Sequence, residues 1–221
     1  MSDIKVGDKI QWECRGMAMF KELPTVTKFS PCGKFLFVEN ETCGLPVGEC
    51  TKVVMGEEDE EFFFFWHGPF SQWHKVSFTV DGIKYNCAEQ YMMAEKARFF
   101  NDTASLKAIM NATDPADQKR LGRGVKGFIK DKWDAVARDI VFKGNHAKFR
   151  QNKELREALF STEGTLVEAS PYDQIWGIGL KMNDERAMSR KTWRGKNWLG
   201  ETLTKVRDEL KKEEECRKTP K

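Results

Sequence analysis

The chain has 221 residues, 40% of them apolar and 12% aromatic, enough for one full domain with a proper core and a small accessory one. No apolar run approaches the roughly 18 residues of a transmembrane helix, so a membrane-spanning protein is not expected. Lysine and arginine number 37 against 34 acids, a net charge of +3, so any phosphate or nucleic-acid site must be a local cluster and not a global field.

Residues 1–55 read as a small β module. Ile10, Trp12 and Cys14 alternate with polar residues, and Phe35-Leu36-Phe37-Val38 and Val53-Val54 supply short β runs. Pro31, Gly33, Gly44, Pro46 and Gly48 mark turns between them. A module this small is expected to form an incomplete barrel that leans on the main domain for stability. The acidic residues of 56–61 form a solvated linker. The main domain covers 62–210. It opens on a buried strand over Phe62 to Trp66, followed by a hairpin of Phe78-Thr79-Val80, an Asp81-Gly82 turn and a return strand through Tyr85. From there helices dominate. They are predicted over Cys87–Phe100, Ser105–Asn111, from Pro115, over Asp131–Phe149 and Asn152–Phe160, and from Gly200 into the tail. A Gly-rich aromatic segment, Tyr172 to Leu180, lies between them. The charged tail 211–221 is expected to fray.

The six cysteines (Cys14, Cys32, Cys43, Cys50, Cys87, Cys216) form no Cys-x-x-Cys pair, and His67, His74 and His146 show no ligand spacing with them, so no metal site is expected. Met1–Lys5 lacks the apolar stretch of a signal peptide. Free thiols in a reducing compartment, cytoplasmic or nuclear, are the resulting expectation.

The predicted helix Cys87–Phe100 carries two unusual residues. Glu89 and Lys96 are seven apart, so they share nearly one face, about 10 Å apart along the axis. Around Lys96, positions three and four away hold Met92, Met93, Phe99 and Phe100, with no carboxylate to pair with it. Burial of that face would disfavour the ammonium, and a neutral lysine can form an imine with a sugar aldehyde carbon. The competing reading is a lysine that snorkels to water. Glu89 has Met92 and Met93 on its C-terminal side, and a buried carboxyl of raised pKa could protonate a leaving base. Against this, Asn86 fits an N-cap, with Glu89 at N3 of a capping-box-like pattern, ionised beside the helix dipole.

Other candidates each have a structural alternative. Trp133 belongs to a stripe with Val136, Ala137, Ile140 and Val141, which suits core packing as well as base stacking. Trp176, between Asp173 and two glycines, is placed to stack a base or to pack. Asp173 could bind ribose hydroxyls or hold the turn. Arg120, Arg123 and Lys126, with Lys119 and interleaved Gly122, Gly124 and Gly127, form the favoured phosphate site, though a solvated helix end would look the same. Trp193-Arg194-Gly195-Lys196-Asn197 is a second candidate. No cofactor motif is present, so the chemistry is assigned to side chains and water.

The segment Asp81-Gly82-Ile83-Lys84-Tyr85-Asn86-Cys87-Ala88-Glu89-Gln90-Tyr91-Met92-Met93-Ala94-Glu95-Lys96-Ala97 resembles the signature of the NADAR (YbiA-like) family. Pro69-Phe70-Ser71-Gln72-Trp73, Leu121-Gly122-Arg123, Trp133 with Arg138, and Lys148-Phe149 with Gln151-Asn152 are similar to further family blocks. So are Leu166-Val167-Glu168-Ala169 through Asp173, Trp176, Gly177 and Gly179, and Gly195-Lys196-Asn197-Trp198-Leu199-Gly200. The ordered set covers about 62–210 and leaves the first 55 residues outside. The resemblance implies a compact, mostly helical α+β fold and N-glycoside hydrolysis. It carries over Glu89 as acid/base and Lys96 as a Schiff-base lysine, with Ser71, Tyr85, Trp133, Asp173, Trp176, Gly177 and Asn197 around the substrate. One family branch hydrolyses a riboflavin-pathway ribosylaminopyrimidine phosphate; another removes ADP-ribose from modified guanine in nucleic acid. Members of the first carry Trp-Gly-Asp-Gly where this chain has Trp176-Gly177-Ile178-Gly179, which points to the second. Gln90 and Met92 replace the usual His and Gln and make the surroundings of Lys96 less polar. The expected substrate is therefore an ADP-ribose-containing nucleotide or ADP-ribosylated nucleic acid. The riboflavin-intermediate N-glycosidase and a non-enzymatic ADP-ribose-binding module are the alternatives, the β module then being a protein-interaction element with no assigned partner.

Overall fold

The computed structural model describes residues 4–7, 10–14, 17–18, 24–52 and 60–218, and the chain divides into two units, Met1–Glu60 and Glu61–Lys221. The first unit holds strands β1 (Ile10–Cys14), β2 (Met17–Ala18), β3 (Val26–Phe29), β4 (Phe35–Val38), β5 (Leu45–Pro46) and β6 (Cys50–Lys52). They form two antiparallel three-stranded sheets, in the orders β2-β1-β6 and β3-β4-β5. Ile4, Ile10, Val26, Leu36, Val38, Leu45 and Cys50 make a core of the unit's own. The β run at Val53-Val54 and most of the acidic linker lie outside the described residues.

The second unit is mostly helical. It contains β7 (Phe62–Phe65), the hairpin β8 (Phe78–Val80) and β9 (Ile83–Tyr85), and helices α1 (Ala88–Phe99), α2 (Thr103–Asn111), α3 (Pro115–Arg123), α4 (Lys130–Gln151) and α5 (Lys153–Phe160). Strand β10 (Thr165–Glu168) and helix α6 (Trp198–Lys218) complete it, giving an α+β class. Helix α1 is the centre. Every residue from Ala88 to Ala97 except Glu95 is buried, because α2, α3 and α4 all pack on it. Two glycines permit that approach. A Cβ at Gly144 of α4 would lie 2.3 Å from the Tyr91 ring, and one at Gly122 of α3 would lie 2.0 Å from Met93 Sδ. Helix α4 packs in turn on α6, and α6 on β10.

Two expectations need correction. The strand at Phe62 is not buried throughout. It pairs in parallel with β10, Phe62 opposite Thr165 and Phe65 opposite Glu168, and Phe63 remains 37% exposed. The tail does not fray before Lys218. Its charges are tied to other helices: Glu213 meets His146 at 2.9 Å and Arg150 at 3.7 Å, and Glu214 meets Arg156 at 2.9 Å. Among the described residues no helix is long and apolar enough to cross a membrane, and Cys32, Cys43, Cys50, Cys87 and Cys216 are free thiols.

Candidate active site

The start of α1 differs from the capping pattern read in the sequence. Its N-cap is Cys87, whose Sγ accepts the Gln90 N–H at 3.4 Å, while Gln90 Oε1 accepts the Asn86 N–H at 2.9 Å. The cap therefore falls one residue later than expected, and Gln90 reaches back to the residue before the cap instead of closing a reciprocal box. Glu89 is released from capping. Its side chain is 4% exposed and faces a cavity. Burial pushes its carboxyl from 4.5 up to about 7, and the nearby Asp173 adds to the rise. Lys119, a hydrogen bond from the Trp73 side chain, and Arg123 oppose it.

A second carboxylate meets it from β10. Glu168 ends this strand, and its Oε2 is wholly buried with no hydrogen-bond partner among the described residues. Burial, followed by the like charges of Asp173 and Glu89, raises it to about 8, against the opposing pull of Lys119. Asn197 fixes this strand end. It is fully buried at φ 54°, its Oδ1 accepting the Glu168 N–H and its Nδ2 donating to the Leu166 carbonyl, both at 2.9 Å. After the strand, Asp173 Oδ1 accepts the N–H groups of Ile175 and Trp176, at 2.9 and 2.8 Å. It does hold the turn, and its Oδ2 lies 3.9 Å from Lys119 Nζ.

These groups open on a cavity of about 380 Å³. Ser71, Gln72 and Trp73 come from the loop before β8, Glu89, Met92 and Met93 from α1, and Lys119 and Arg123 from α3. Trp66 and His67 follow β7. Glu168, Ser170, Tyr172, Asp173 and Trp176 come from the end of β10 and the segment after it. The carboxyl ends of two parallel strands thus meet the N-terminus of one helix, a placement common for ligand sites in parallel sheets. Of the residues singled out from the sequence, Glu89, Ser71, Asp173, Trp176, Lys119 and Arg123 line this cavity together.

The others lie elsewhere, each for a physical reason. Tyr85 is buried in the core, stacked on Phe78, with its hydroxyl accepting from Arg98 at 3.0 Å. Trp133 is buried in the same core, edge-on to Phe99. Gly177 lies behind the wall, where a Cβ would come within 2.8 Å of the Glu168 carbonyl oxygen. Asn197 supports Glu168 from the interior. Arg120 is exposed and paired with Asp117 at 3.1 Å. Lys126 is exposed and does not line the cavity, and its backbone N–H donates to Asp102 at 2.9 Å.

Lys96 is 8% exposed and is not a lining residue. Its Nζ donates to the Gly122 carbonyl at 2.9 Å and lies 4.0 Å from the centre of the Phe128 ring, so the snorkelling picture does not hold. Burial lowers its pKa and Arg123 lowers it further, against Glu89. Lys148 was not anticipated as important. It is fully buried, and its Nζ donates to the carbonyls of Pro69 and Ser71 at 2.7 and 3.0 Å, which holds the loop carrying Ser71, Gln72 and Trp73. Burial brings its pKa down to about 7. Gln72 is held further by Asn145 Nδ2 at 2.9 Å. Glu168 was missed because a lone acid after two apolar residues is a common strand ending. Its one signal is that it closes a run otherwise buried.

The NADAR domain family model matches residues 62–211. The chain belongs to the NADAR family. Among relatives of this NADAR chain, N-glycosidase R617 of Acanthamoeba polyphaga mimivirus is 42% identical over 167 residues, 69% of this chain and 98% of the viral protein. N-glycosidase YbiA of Escherichia coli (strain K12) is 30% identical over 145 residues, 65% of this chain and 82% of YbiA. The NMR structure of E. coli YbiA superimposes with a TM-score of 0.58 at 27% identity, covering 71% of this chain and 88% of that one. Within the NADAR domain, Ile178 is fully buried in an apolar cluster with Val167, Ala169, Leu180 and Ala187, and does not line the cavity. The residue that distinguished the two branches in sequence therefore has no direct contact with the cavity in this chain.

Proposed function

We propose that this chain is an N-glycosidase that hydrolyses the bond between a ribose C1 and a base, and that its substrate is ADP-ribosylated guanine in nucleic acid. The observation that carries the reading is the Glu89–Glu168 pair. Two carboxyls raised to about 7 and about 8 face one aromatic-walled cavity with Lys119 and Arg123 on its wall. The names of the viral and bacterial relatives support the coarser part, N-glycosidase activity. The aromatic walls and two cations suit a nucleobase next to a pyrophosphate.

Both carboxyls are raised chiefly by burial, so protonated carboxyl is present in the cavity near neutrality. One proton passes to the leaving base nitrogen as the C1–N bond breaks and the bonding electrons leave with the base. Glu89 is the member that Lys119, Arg123 and the Trp73 hydrogen bond help to ionise. It faces the positive charge that develops on the sugar. Lys96, whose pKa is lowered by burial, then attacks C1 after giving up a proton; the ring C1–O4′ bond breaks, a second amine proton passes to O4′, and an imine remains at C1. Water adds across that bond, returning the amine and releasing the aldehyde, which closes to ADP-ribose. This step requires Nζ to leave the Gly122 carbonyl. That hydrogen bond favours a second reading, in which water attacks C1 directly and Lys96 only positions α3.

The test incubates the chain with a guanine-ADP-ribosylated oligonucleotide, with a ribosylaminopyrimidine phosphate and with NAD, and reads products by mass spectrometry. Restored oligonucleotide plus ADP-ribose is the expected result. Hydrolysis of the pyrimidine substrate alone moves the assignment to riboflavin intermediates. Tight ADP-ribose binding with no bond cleaved overturns the enzymatic reading.

A further inference from the structure

The mouth of the cavity carries more aromatic surface than a single buried base needs. Tyr172 is 85% exposed, yet it lines the cavity. Trp66 lies beside it, ring centres 6.2 Å apart and tilted by 49°. His67 stacks on Trp66, with centroids at 4.6 Å and planes 25° apart. These three rings follow the carboxyl ends of the two paired parallel strands, β7 and β10, at the same end as Glu168. Tyr172 is too exposed to build the core, and what singles it out is its place on the cavity beside two further rings. Exposed flat rings at a cavity edge are the surface on which nucleobases stack, whatever their sequence.

We infer that Trp66, His67 and Tyr172 form a second nucleobase subsite at the mouth of the cavity, distinct from the position of the base that is cleaved. The inference rests on the proposed function for the orientation of the substrate, with the scissile bond at Glu89 and Glu168. Lys119 and Arg123 line the same cavity from α3 and suit the phosphates that join two nucleosides. The base that stacks on the rim comes either from the adenosine end of ADP-ribose or from a neighbouring nucleotide of the strand. Both present the same chemistry, a planar heteroaromatic ring at the end of a phosphate linkage.

The test is a binding titration on the full chain, read by calorimetry and independent of turnover. The probes are AMP, ribose 5-phosphate and an unmodified single-stranded oligonucleotide. The variants are Tyr172→Ala, Trp66→Ala and Tyr172→Phe. Because Tyr172 is so exposed, Tyr172→Ala is expected to melt at the wild-type temperature. Stacking predicts that Tyr172→Ala weakens base-containing probes by about tenfold or more. Tyr172→Phe is expected to bind as wild type does, and ribose 5-phosphate to bind equally to all forms. A loss confined to AMP assigns the rim to the adenosine end, and a loss confined to the oligonucleotide assigns it to a flanking base. Unchanged affinity for both in Tyr172→Ala and Trp66→Ala overturns the subsite, as does a wild type that binds neither. If Tyr172→Ala loses binding while wild type cleaves no N-glycoside, the subsite stands and the N-glycosidase reading falls.

Discussion

Replacing Glu89 by glutamine should make the protein more stable, and only where the carboxyl would be ionised. In the unfolded chain this carboxyl titrates near 4.5, and in the folded chain at about 7. A raised acid binds its proton more tightly in the folded state. Its favourable contribution is therefore fully present below pH 4.5 and is lost as pH rises to about 7. At about 1.4 kcal/mol for each tenfold change, the wild type gives up roughly 3 kcal/mol across that window. Solvent in the cavity reduces the figure, so about 1.5–3 kcal/mol is expected. Glutamine stays neutral, and its carbonyl can still accept the Trp73 hydrogen bond. At a few degrees per kcal/mol, Glu89→Gln should melt on the order of 5 °C or more above wild type at pH 8.5, and close to it at pH 4.5. Thermal melts followed by circular dichroism at both pH values give the answer. Taking the difference between variant and wild type cancels other titrating groups such as Lys148. A variant no more stable at pH 8.5, or equally stabilised at both pH values, would refute the argument that Glu89 is a desolvated acid.

Four further outcomes follow. Glu168→Gln should show the same gain over a window reaching about one pH unit higher, since its carboxyl is raised to about 8; melts at pH 7 and 9 check this. Gly200→Ala would put a Cβ 2.1 Å from the Leu166 carbonyl oxygen and 2.4 Å from Asn197 Oδ1, so it should cost about 3 kcal/mol or more, seen as a lower urea midpoint. Lys148→Met removes the donor to the Pro69 and Ser71 carbonyls, so amide exchange over residues 68–74 should accelerate and turnover fall about tenfold, as for a misplaced positioning loop. Lys96→Arg keeps the charge and loses the nucleophile, so borohydride should trap a sugar adduct on wild type and none on the variant. Wild-type turnover in Lys96→Arg would leave only the direct-water route.

Glu89 and Lys96 were legible because an acid and a lysine on an apolar helix contradict its pattern. The capping offset was not. Asn86-x-x-Glu89 and Cys87-x-x-Gln90 are overlapping patterns, and which one caps depends on where the chain turns into α1. Trp133 and Tyr85 show the limit of a motif read as a site. Both are held by ring contacts inside the core, which spacing along one helix or strand does not reveal. Glu168 was obscured because its role depends on the parallel pairing of β10 with β7 and on the Asn197 bond that fixes its backbone, both set by distant parts of the chain. The alternating charges of the tail looked solvated because their partners lie on α4 and α5. Ile178 was legible as a departure from the family pattern, but its burial away from the cavity was not.

The most direct test of the central claim compares wild type, Glu89→Gln and Glu168→Gln on one guanine-ADP-ribosylated oligonucleotide near pH 7, with released ADP-ribose quantified by mass spectrometry. The account predicts one ADP-ribose released per oligonucleotide restored. Each variant, folded and at least as stable as wild type, should be slower by about a hundredfold or more, the range for loss of a positioned acid or base. Wild-type rates in both variants would contradict it, because the carboxyl pair would then take no part in breaking the bond.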